Sequence, residues 1–386
     1  MRPDKEVRKA LVLAKAITPN PGGIETYSEQ VAKAYADFGF EVTVISCFHG
    51  KRGRLKRGAL TVVNVGMQRQ WLVAIRMLSA VMSYRLRSGP PTLVHATTWR
   101  VALPAIIAFR RCPLAITIHG REVTATSGWK VFLMRYIFAK ARKALAISQS
   151  SLAAAAQRVP ALQQKAVVSW NGITACPEDA YLAAVRRRSN NKVCRILTIC
   201  RLVPRKNVAA VLRALAIISE QGYSGWEYSI VGDGPEIDDL TKVREECGLS
   251  GKVGFLGRVS NREIEEAYSS CDVFAHPQVT DDTGRDIEGF GLVIADAMAW
   301  GLPVIVGRDG GPGEFVLHGE TGYVVDGYDI GELAEKLKLL VEDSERRRSM
   351  GIAARAWAID NLAWSKHIAP VVGPQKSPGG SHVVDR

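Results

Sequence analysis

The chain has 386 residues, a formal net charge of +13, 47% hydrophobic and 23% charged residues. That length predicts two globular domains with ample core, and no apolar run reaches the roughly 18–20 residues that would span a bilayer. Seven scattered cysteines (47, 112, 176, 194, 200, 247, 271) with no Cys-x-x-Cys pair exclude a disulfide frame or a zinc ribbon and suit reduced thiols in the cytoplasm.

The start, "MRPDKEVRKALVLAK", has too short an apolar stretch for a signal peptide and no small-residue cleavage site. β-rich runs then alternate with helix-length segments: 10–15, 41–46, 60–65, 92–96, 114–119, 144–148 and 166–170. This is the pattern of a parallel sheet with helical crossovers. Within this half the charge is lopsided, with 29 Lys/Arg against 9 Asp/Glu in residues 1–190 and 22 against 29 in the rest. No acid lies between Glu41 and Glu122, while thirteen bases do, five of them in "KRGRLKR" (51–57). So one-sided a stretch predicts an anionic partner, either a membrane surface or nucleic acid. "RQWLVAIRMLSAVMSYRLR" (69–87) and "WKVFLMRYIFAKARK" (129–143) read as crossover helices that pack an apolar side inward and show arginines to a lipid surface.

After the polar stretch 186–192 the alternation restarts, with runs at 193–200, 226–231, 252–257, 272–277, 302–307 and 322–326. The expected organisation is a first doubly wound domain over 1–185, a second over 190–362 and a flexible tail over 370–386. Ligands of such sheets bind beyond the carboxyl ends of the strands, so chemistry is sought just after each run.

Four places stand out. Gly22 and Gly23 in "TPNPGGIETY" turn the first strand into a helix, where backbone N–H groups can meet an anion or a sugar. Gly-x-Gly-x-x-Gly is absent there, and "VGDGPE" (231–236) lacks its third glycine, which argues against a nicotinamide cofactor. "ICRLVPRKN" (199–207) puts Arg201 and Lys206 in the loop after the second domain's first strand, cations suited to a diphosphate. His119 ends an internal strand in "LAITIHGRE" (114–122), and "RDIEGFGLVIADAMAWGLPVIV" (285–306) places Glu288 and Asp296 eight residues apart around a glycine-rich helix start.

Together "PGGIETY", "HGRE", "ICRLVPRKN", "VGDGPE", "FLGRVS", "CDVFAHP" and "EGFGLVIADAMAWGLPVI…GGPGEFV…GETGYVVD" resemble the retaining glycosyltransferases of family 4, from about residue 10 to 365. The resemblance implies the α/β GT-B fold: two Rossmann-like, doubly wound domains facing a central cleft, with a C-terminal helix near 345–362 returning toward the first. It implies that Glu288 holds donor-sugar hydroxyls and that the N–H groups of Phe290, Gly291 and Leu292 face the sugar and phosphates, as Gly23 does from the first domain. Arg201 and Lys206 neutralise the leaving diphosphate, His119 lies beside the nascent bond, and Arg258 and Val259 in "GRV" meet the base. The second acid of the family's Glu-x7-Glu motif is here Asp296, one methylene shorter, and it contacts the ribose. The family needs no cofactor and no metal, and "QVTDDTGRDIE" (278–288) offers no convincing metal site.

The function so implied is transfer of a hexose, with retention, from a nucleotide sugar to a lipid-linked saccharide or lipid in cell-surface polysaccharide or glycolipid synthesis. The Asp-x-Glu-Gly-Phe-Gly flavour of the block points to mannose from a GDP donor, with a UDP-hexose left open. The expected place is the cytoplasm, peripheral on the inner face of the membrane. Two other readings remain: another GT-B enzyme such as a sugar-nucleotide epimerase or a phosphorylase, and a non-enzymatic nucleic-acid-binding protein using the basic half. The last lacks interleaved surface aromatics and any nucleic-acid module, so no nucleic-acid partner is expected.

Overall fold

Every β-rich run read from the sequence forms a strand, and the strands build two sheets. The computed structural model describes residues 7–18, 22–174, 176–189, 193–280 and 286–373. The first sheet contains β1 (Lys9–Leu13), β2 (Glu41–Ser46), β3 (Gly53–Arg57), β4 (Leu60–Asn64), β5 (Leu93–Ala96), β6 (Leu114–Ile118), β7 (Lys143–Ala146) and β8 (Ala166–Val168). Their order is β3-β4-β2-β1-β5-β6-β7-β8, parallel except for the β3–β4 pair. The second sheet contains β9 (Cys194–Ile199), β10 (Trp226–Val231), β11 (Val253–Gly257), β12 (Val273–His276), β13 (Val304–Gly307) and β14 (Gly322–Val325). Its order is β11-β10-β9-β12-β13-β14, all parallel.

Strand β3 is the element the sequence reading missed. Its run, Gly-Arg-Leu-Lys-Arg, has no apolar alternation, because it is an exposed edge strand with only Leu55 packed on the core. A tight turn through Gly58, at φ 56°, returns it to β4. Charged side chains on such an edge discourage pairing with another chain, and here they place part of the basic cluster on the rim of the first domain.

Both sheets reverse strand order at one point, between β1 and β5 and between β9 and β12. Loops leaving the carboxyl ends at a reversal diverge and open a crevice. The segments that leave β1, β6, β9 and β12 carry Gly23, His119, the Arg201–Lys206 loop and the loop of Glu288 respectively.

The chain then returns to the first domain. Helix Ser344–Asn361 is followed by a second helix, Trp364–Val372, which packs on helix Gly23–Asp37. The sequence reading assigned 370–386 to a tail; residues to Val372 are helical, and 374–386 lie outside the described residues. The return is pinned by the Trp364 indole N–H on the Ile173 carbonyl (3.1 Å) and the Ser169 hydroxyl on the His367 carbonyl (2.8 Å).

A buried polar chain locks it further. The Tyr35 hydroxyl donates to His95 Nδ1 (2.8 Å), and His95 Nε2 donates to Thr117 Oγ1 (2.7 Å). Thr117 donates to the Tyr27 hydroxyl, which donates to His367 Nε2 (2.7 Å), and His367 Nδ1 donates to the Ser169 carbonyl (2.9 Å). Burial lowers His95 to about 3 and His367 to about 4, so both rings are neutral and every polar atom of the chain is matched.

Helices Gln70–Ser88 and Lys130–Lys140 occupy the two basic segments. Trp71, Ile75 and Leu86 on the first, and Phe132 and Tyr136 on the second, are exposed. The basic half therefore does show aromatics among its bases, contrary to the expectation from sequence, and the case against a nucleic-acid partner rests on the absence of a nucleic-acid module alone. Among the described residues, no helix is long and apolar enough to cross a membrane.

Candidate active site

A short 3-10 turn, Pro204–Lys206, follows β9 and is closed by Asn207, whose φ of 58° is left-handed. The Asn207 amide donates to the carbonyls of Pro277 (3.0 Å) and Gly327 (2.7 Å), tying the turn to the segments after β12 and β14. This anchoring buries Lys206, only 7% exposed. Its ammonium donates to Glu288 Oε2 and lies 3.3 Å from His276 Nε2. Arg205 reaches the same Glu288 oxygen through Nη1, while its Nε lies 3.2 Å from Asp286 Oδ1.

Burial by itself would raise the Glu288 carboxyl, but Lys206 and Arg205 outweigh it and hold it well below the usual carboxylate range. Burial, reinforced by Lys206, keeps His276 far below its ordinary value, so the neutral ring accepts from the ammonium. The site thus contains an ionised carboxylate and a buried ammonium paired through Glu288 Oε2, with Arg205 on the same oxygen.

Behind Glu288 the backbone makes a glycine-dependent turn. Gly291 has a φ of 80°, and a Cβ there would come within 2.7 Å of Ile294. The Phe290 side chain goes into the core against Phe315 (4.7 Å between rings). The N–H groups of Phe290, Gly291 and Leu292 are left at the start of helix Leu292–Ala299 without a backbone acceptor among the described residues. Donors at a helix start favour anionic ligands.

The first domain meets this loop directly. A Cβ on Gly289 would stand 2.6 Å from the His119 carbonyl oxygen, so only glycine permits the approach. His119 Nε2 donates to the Thr97 carbonyl (2.9 Å), which fixes its tautomer, and its ring meets Tyr27 edge-on at 4.7 Å. Its backbone N–H donates to Glu122 (2.8 Å). Two further links cross the cleft. Arg121 lies 3.6 Å from Asp286. Glu314 accepts 2.7 Å hydrogen bonds from the Gln149 and Ser150 N–H groups and the Ser150 hydroxyl, at the start of helix Gln149–Ala156.

The other residues singled out from the sequence fall around this centre. Arg201 is exposed and has no carboxylate partner among the described residues. Gly23 begins helix Gly23–Asp37, but the Glu25 carboxylate folds back over Gly22, and burial raises its pKa. Arg258 pairs with Asp233 at 3.3 Å, beyond the ends of β11 and β10. Asp296 accepts from the Thr174 N–H (2.6 Å) and hydroxyl (3.2 Å), in the segment joining the domains. Burial pushes its carboxyl up to about 6 against those two bonds. Residues 281–285 of the stretch considered for a metal, with its acids Asp281 and Asp282, lie outside the described residues, and no group of three His, Cys, Asp or Glu suited to a metal occurs among the described ones.

Arg205, Asp286, His276 and Glu314 were missed. Arg205 adjoins a chosen lysine and Asp286 stands two residues before a chosen glutamate, so adjacency was the available signal. His276 and Glu314 stand inside the quoted blocks "CDVFAHP" and "GGPGEFV", so membership of those blocks was the signal for them.

Two Rossmann-like sheets, a cleft lined by the loops at their reversals and a C-terminal helix pair crossing back define a GT-B protein. Solved structures with the same fold include sucrose-phosphate synthase from Thermosynechococcus elongatus (TM-score 0.72, 18% identity, 92% of this chain and 96% of that one). Anabaena HepE in complex with UDP and glucose also matches (TM-score 0.72, 24% identity, 94% and 98%).

The profile "Glycosyltransferase Family 4" matches residues 21–175 and "Glycosyl transferases group 1" matches 184–357. The chain therefore belongs to the family 4 glycosyltransferases. Among curated relatives, a GDP-mannose-dependent alpha-(1-6)-phosphatidylinositol monomannoside mannosyltransferase of Mycobacterium tuberculosis is 36% identical over 189 residues, 49% of each chain. The match spans about half the length of such relatives.

Proposed function

We propose that this protein transfers mannose from GDP-mannose, with retention, to a lipid-linked acceptor carrying an anionic phosphodiester. The observation that carries the reading is Glu288, held ionised by Lys206 and Arg205 at a glycine-rich helix start directly facing His119. The GDP-mannose-dependent relatives favour this sugar and base.

In the reaction, the bond between the sugar's anomeric carbon and the diphosphate oxygen breaks, and an acceptor oxygen bonds to the same face of that carbon. The acceptor's proton passes to the departing phosphate. Arg201, Lys206 and the N–H groups of Phe290, Gly291 and Leu292 stabilise the charge gathering on the diphosphate, and fixed dipoles and cations do this without reorganising. Glu288 accepts from the sugar hydroxyls. Asp296 uses its remaining lone pairs on the ribose, and Arg258 and Val259 flank the base. This chemistry assigns the neutralising role to cations and N–H groups, with no metal or cofactor in the scheme.

The acceptor side is the first domain. Arg52 and Arg76 line an open basin with His49 and Gln68 near the carboxyl ends of β2 and β4. The exposed aromatics of helices Gln70–Ser88 and Lys130–Lys140, set among bases, suit the surface of an anionic membrane, which supports a peripheral position on its inner face.

The test is GDP release from GDP-mannose in the presence and absence of membranes containing phosphoinositol glycolipids. Release that needs the lipid, with mannose recovered in it, supports the reading. Acceptor-independent isomerisation of the sugar nucleotide would instead indicate an epimerase.

A further inference from the structure

Three bases leave the carboxyl end of β9 within six residues, and their surroundings differ. Arg201 is exposed, and Lys206 is buried between Glu288 and His276. Arg205 pairs with two acids of one loop: Nη1 hydrogen-bonds Glu288 Oε2, while Nε lies 3.2 Å from Asp286 Oδ1 as an ion pair without hydrogen-bond geometry. Both cations use the same Glu288 oxygen, and Oε1 has no hydrogen-bond partner among the described residues. A guanidinium presents its donors in a fixed plane, so a hydrogen bond at Nη1 with a second carboxylate beside Nε restricts its orientation. An ammonium is a point charge without such a constraint.

We infer that Arg205 is the positioning residue of the donor-sugar carboxylate: it anchors Glu288 Oε2 so that Oε1 faces the sugar, while Asp286 holds Arg205 in that pose. The inference rests on the donor assignment proposed above. A bound diphosphate brings negative charge next to Glu288 and draws on Lys206. Arg205, committed to the acids, is the cation that keeps Glu288 ionised and in place at that moment. The groups facing Glu288 are Lys206 and Arg205 from the turn, His276 from β12 and Cys200 from the end of β9; Asp286 and, through it, Arg121 of the first domain complete the set. The Arg121 link is mostly solvent-exposed and contributes little by itself.

The division of labour separates Arg205 from a phosphate ligand, and calorimetry on the full chain with GDP and with GDP-mannose measures it. Arg205→Ala is expected to bind GDP within about 3-fold of wild type, yet to lose most of the additional affinity that the mannose confers. Its kcat should fall at least about 10-fold, because the carboxylate that meets the sugar is no longer held in place. Arg205→Lys, which keeps the charge but not the fork, should recover the mannose-dependent part of the affinity only in part and leave kcat low. Asp286→Asn should show a milder form of the Arg205→Ala behaviour.

Equal losses for GDP and GDP-mannose would make Arg205 a diphosphate ligand and overturn the inference, as would wild-type values for Arg205→Ala throughout. Wild-type protein that binds neither GDP nor GDP-mannose would refute the donor assignment itself, and the positioning role with it. That result is distinguished by the absence of any binding.

Discussion

Replacing Lys206 by alanine is expected to damage stability and catalysis together. Seen as a loop cation, Lys206 looks removable at no structural cost. The structure corrects that view, because the side chain is 9% exposed and its ammonium is held between Glu288 and His276. Deleting one member of a buried pair strands the other and costs roughly 3–5 kcal/mol. Arg205 remains on the same Glu288 oxygen, so the lower end, about 3 kcal/mol, is expected in urea unfolding. Turnover should fall about 100- to 1,000-fold, the usual cost of one charge-stabilising donor. A double variant, Lys206→Met with Glu288→Gln, removes the stranded charge as well. It should recover much of the stability and none of the turnover, since replacing a whole buried pair is often close to neutral. Urea midpoints at constant slope and GDP release in the presence of acceptor membranes measure both quantities. A single variant with wild-type midpoint, or a double variant no more stable than the single, would refute the reasoning.

Asp296 titrates at about 6 in the fold against an ordinary 3.8. The folded state then holds the proton longer than the unfolded one, so stability falls as pH rises between those values, by on the order of 2–3 kcal/mol. Asp296→Asn should flatten the dependence of Tm on pH from 4 to 6.5, and an unchanged slope would place the titration elsewhere. Gly289→Ala drives a Cβ to 2.6 Å from the His119 carbonyl; kcat should drop at least about 10-fold with an unchanged circular dichroism spectrum, and normal turnover would show that the loop yields. Neutralising Lys51, Arg52, Arg54, Lys56 and Arg57 together should weaken flotation with anionic liposomes most at low salt, by about 1 kcal/mol for each charge that lies near the lipid. Flotation indifferent to salt and to these substitutions would leave the cluster a solubility device.

How much of this was legible in advance depended on range. Strands buried on both faces, such as β9 with Ile196 and Leu197 fully covered, announce themselves as apolar runs, so both sheets could be read locally. β3 could not, since an exposed edge strand shares its composition with a solvated loop. The site was legible wherever backbone chemistry fixed it: Gly291 at positive φ and the turn closed by Asn207 are demands on single residues. What stayed hidden was direction. Arg201, Arg205 and Lys206 are equivalent as letters, and only packing against the segment after β12 sends two of them to Glu288 and one to solvent. The chain of Tyr35, His95, Thr117, Tyr27 and His367 joins residues up to 340 positions apart, which no periodicity reports.

The two acids around the glycine-rich turn show the same limit from the other side. Their spacing suggests a matched pair, yet their surroundings pull them apart. Glu288 has two cations on one oxygen and is held ionised despite burial. Asp296 has only the neutral donors of Thr174, and burial prevails, to about 6. Carboxyls whose environments separate their pKa values take different tasks. Glu288 is held ionised well below the usual carboxylate range, which suits a fixed acceptor for sugar hydroxyls beside a departing diphosphate. Asp296 is bound to the segment that joins the domains, so a ligand drawing on its carboxylate also acts on that connection. The shorter aspartate arm in this position brings the carboxylate to Thr174, and restoring the longer one with Asp296→Glu should change domain closure as well as donor affinity. Small-angle scattering with and without GDP would separate the two effects. A variant with altered donor KM and an unaltered closing response would show that the contact with Thr174 is incidental.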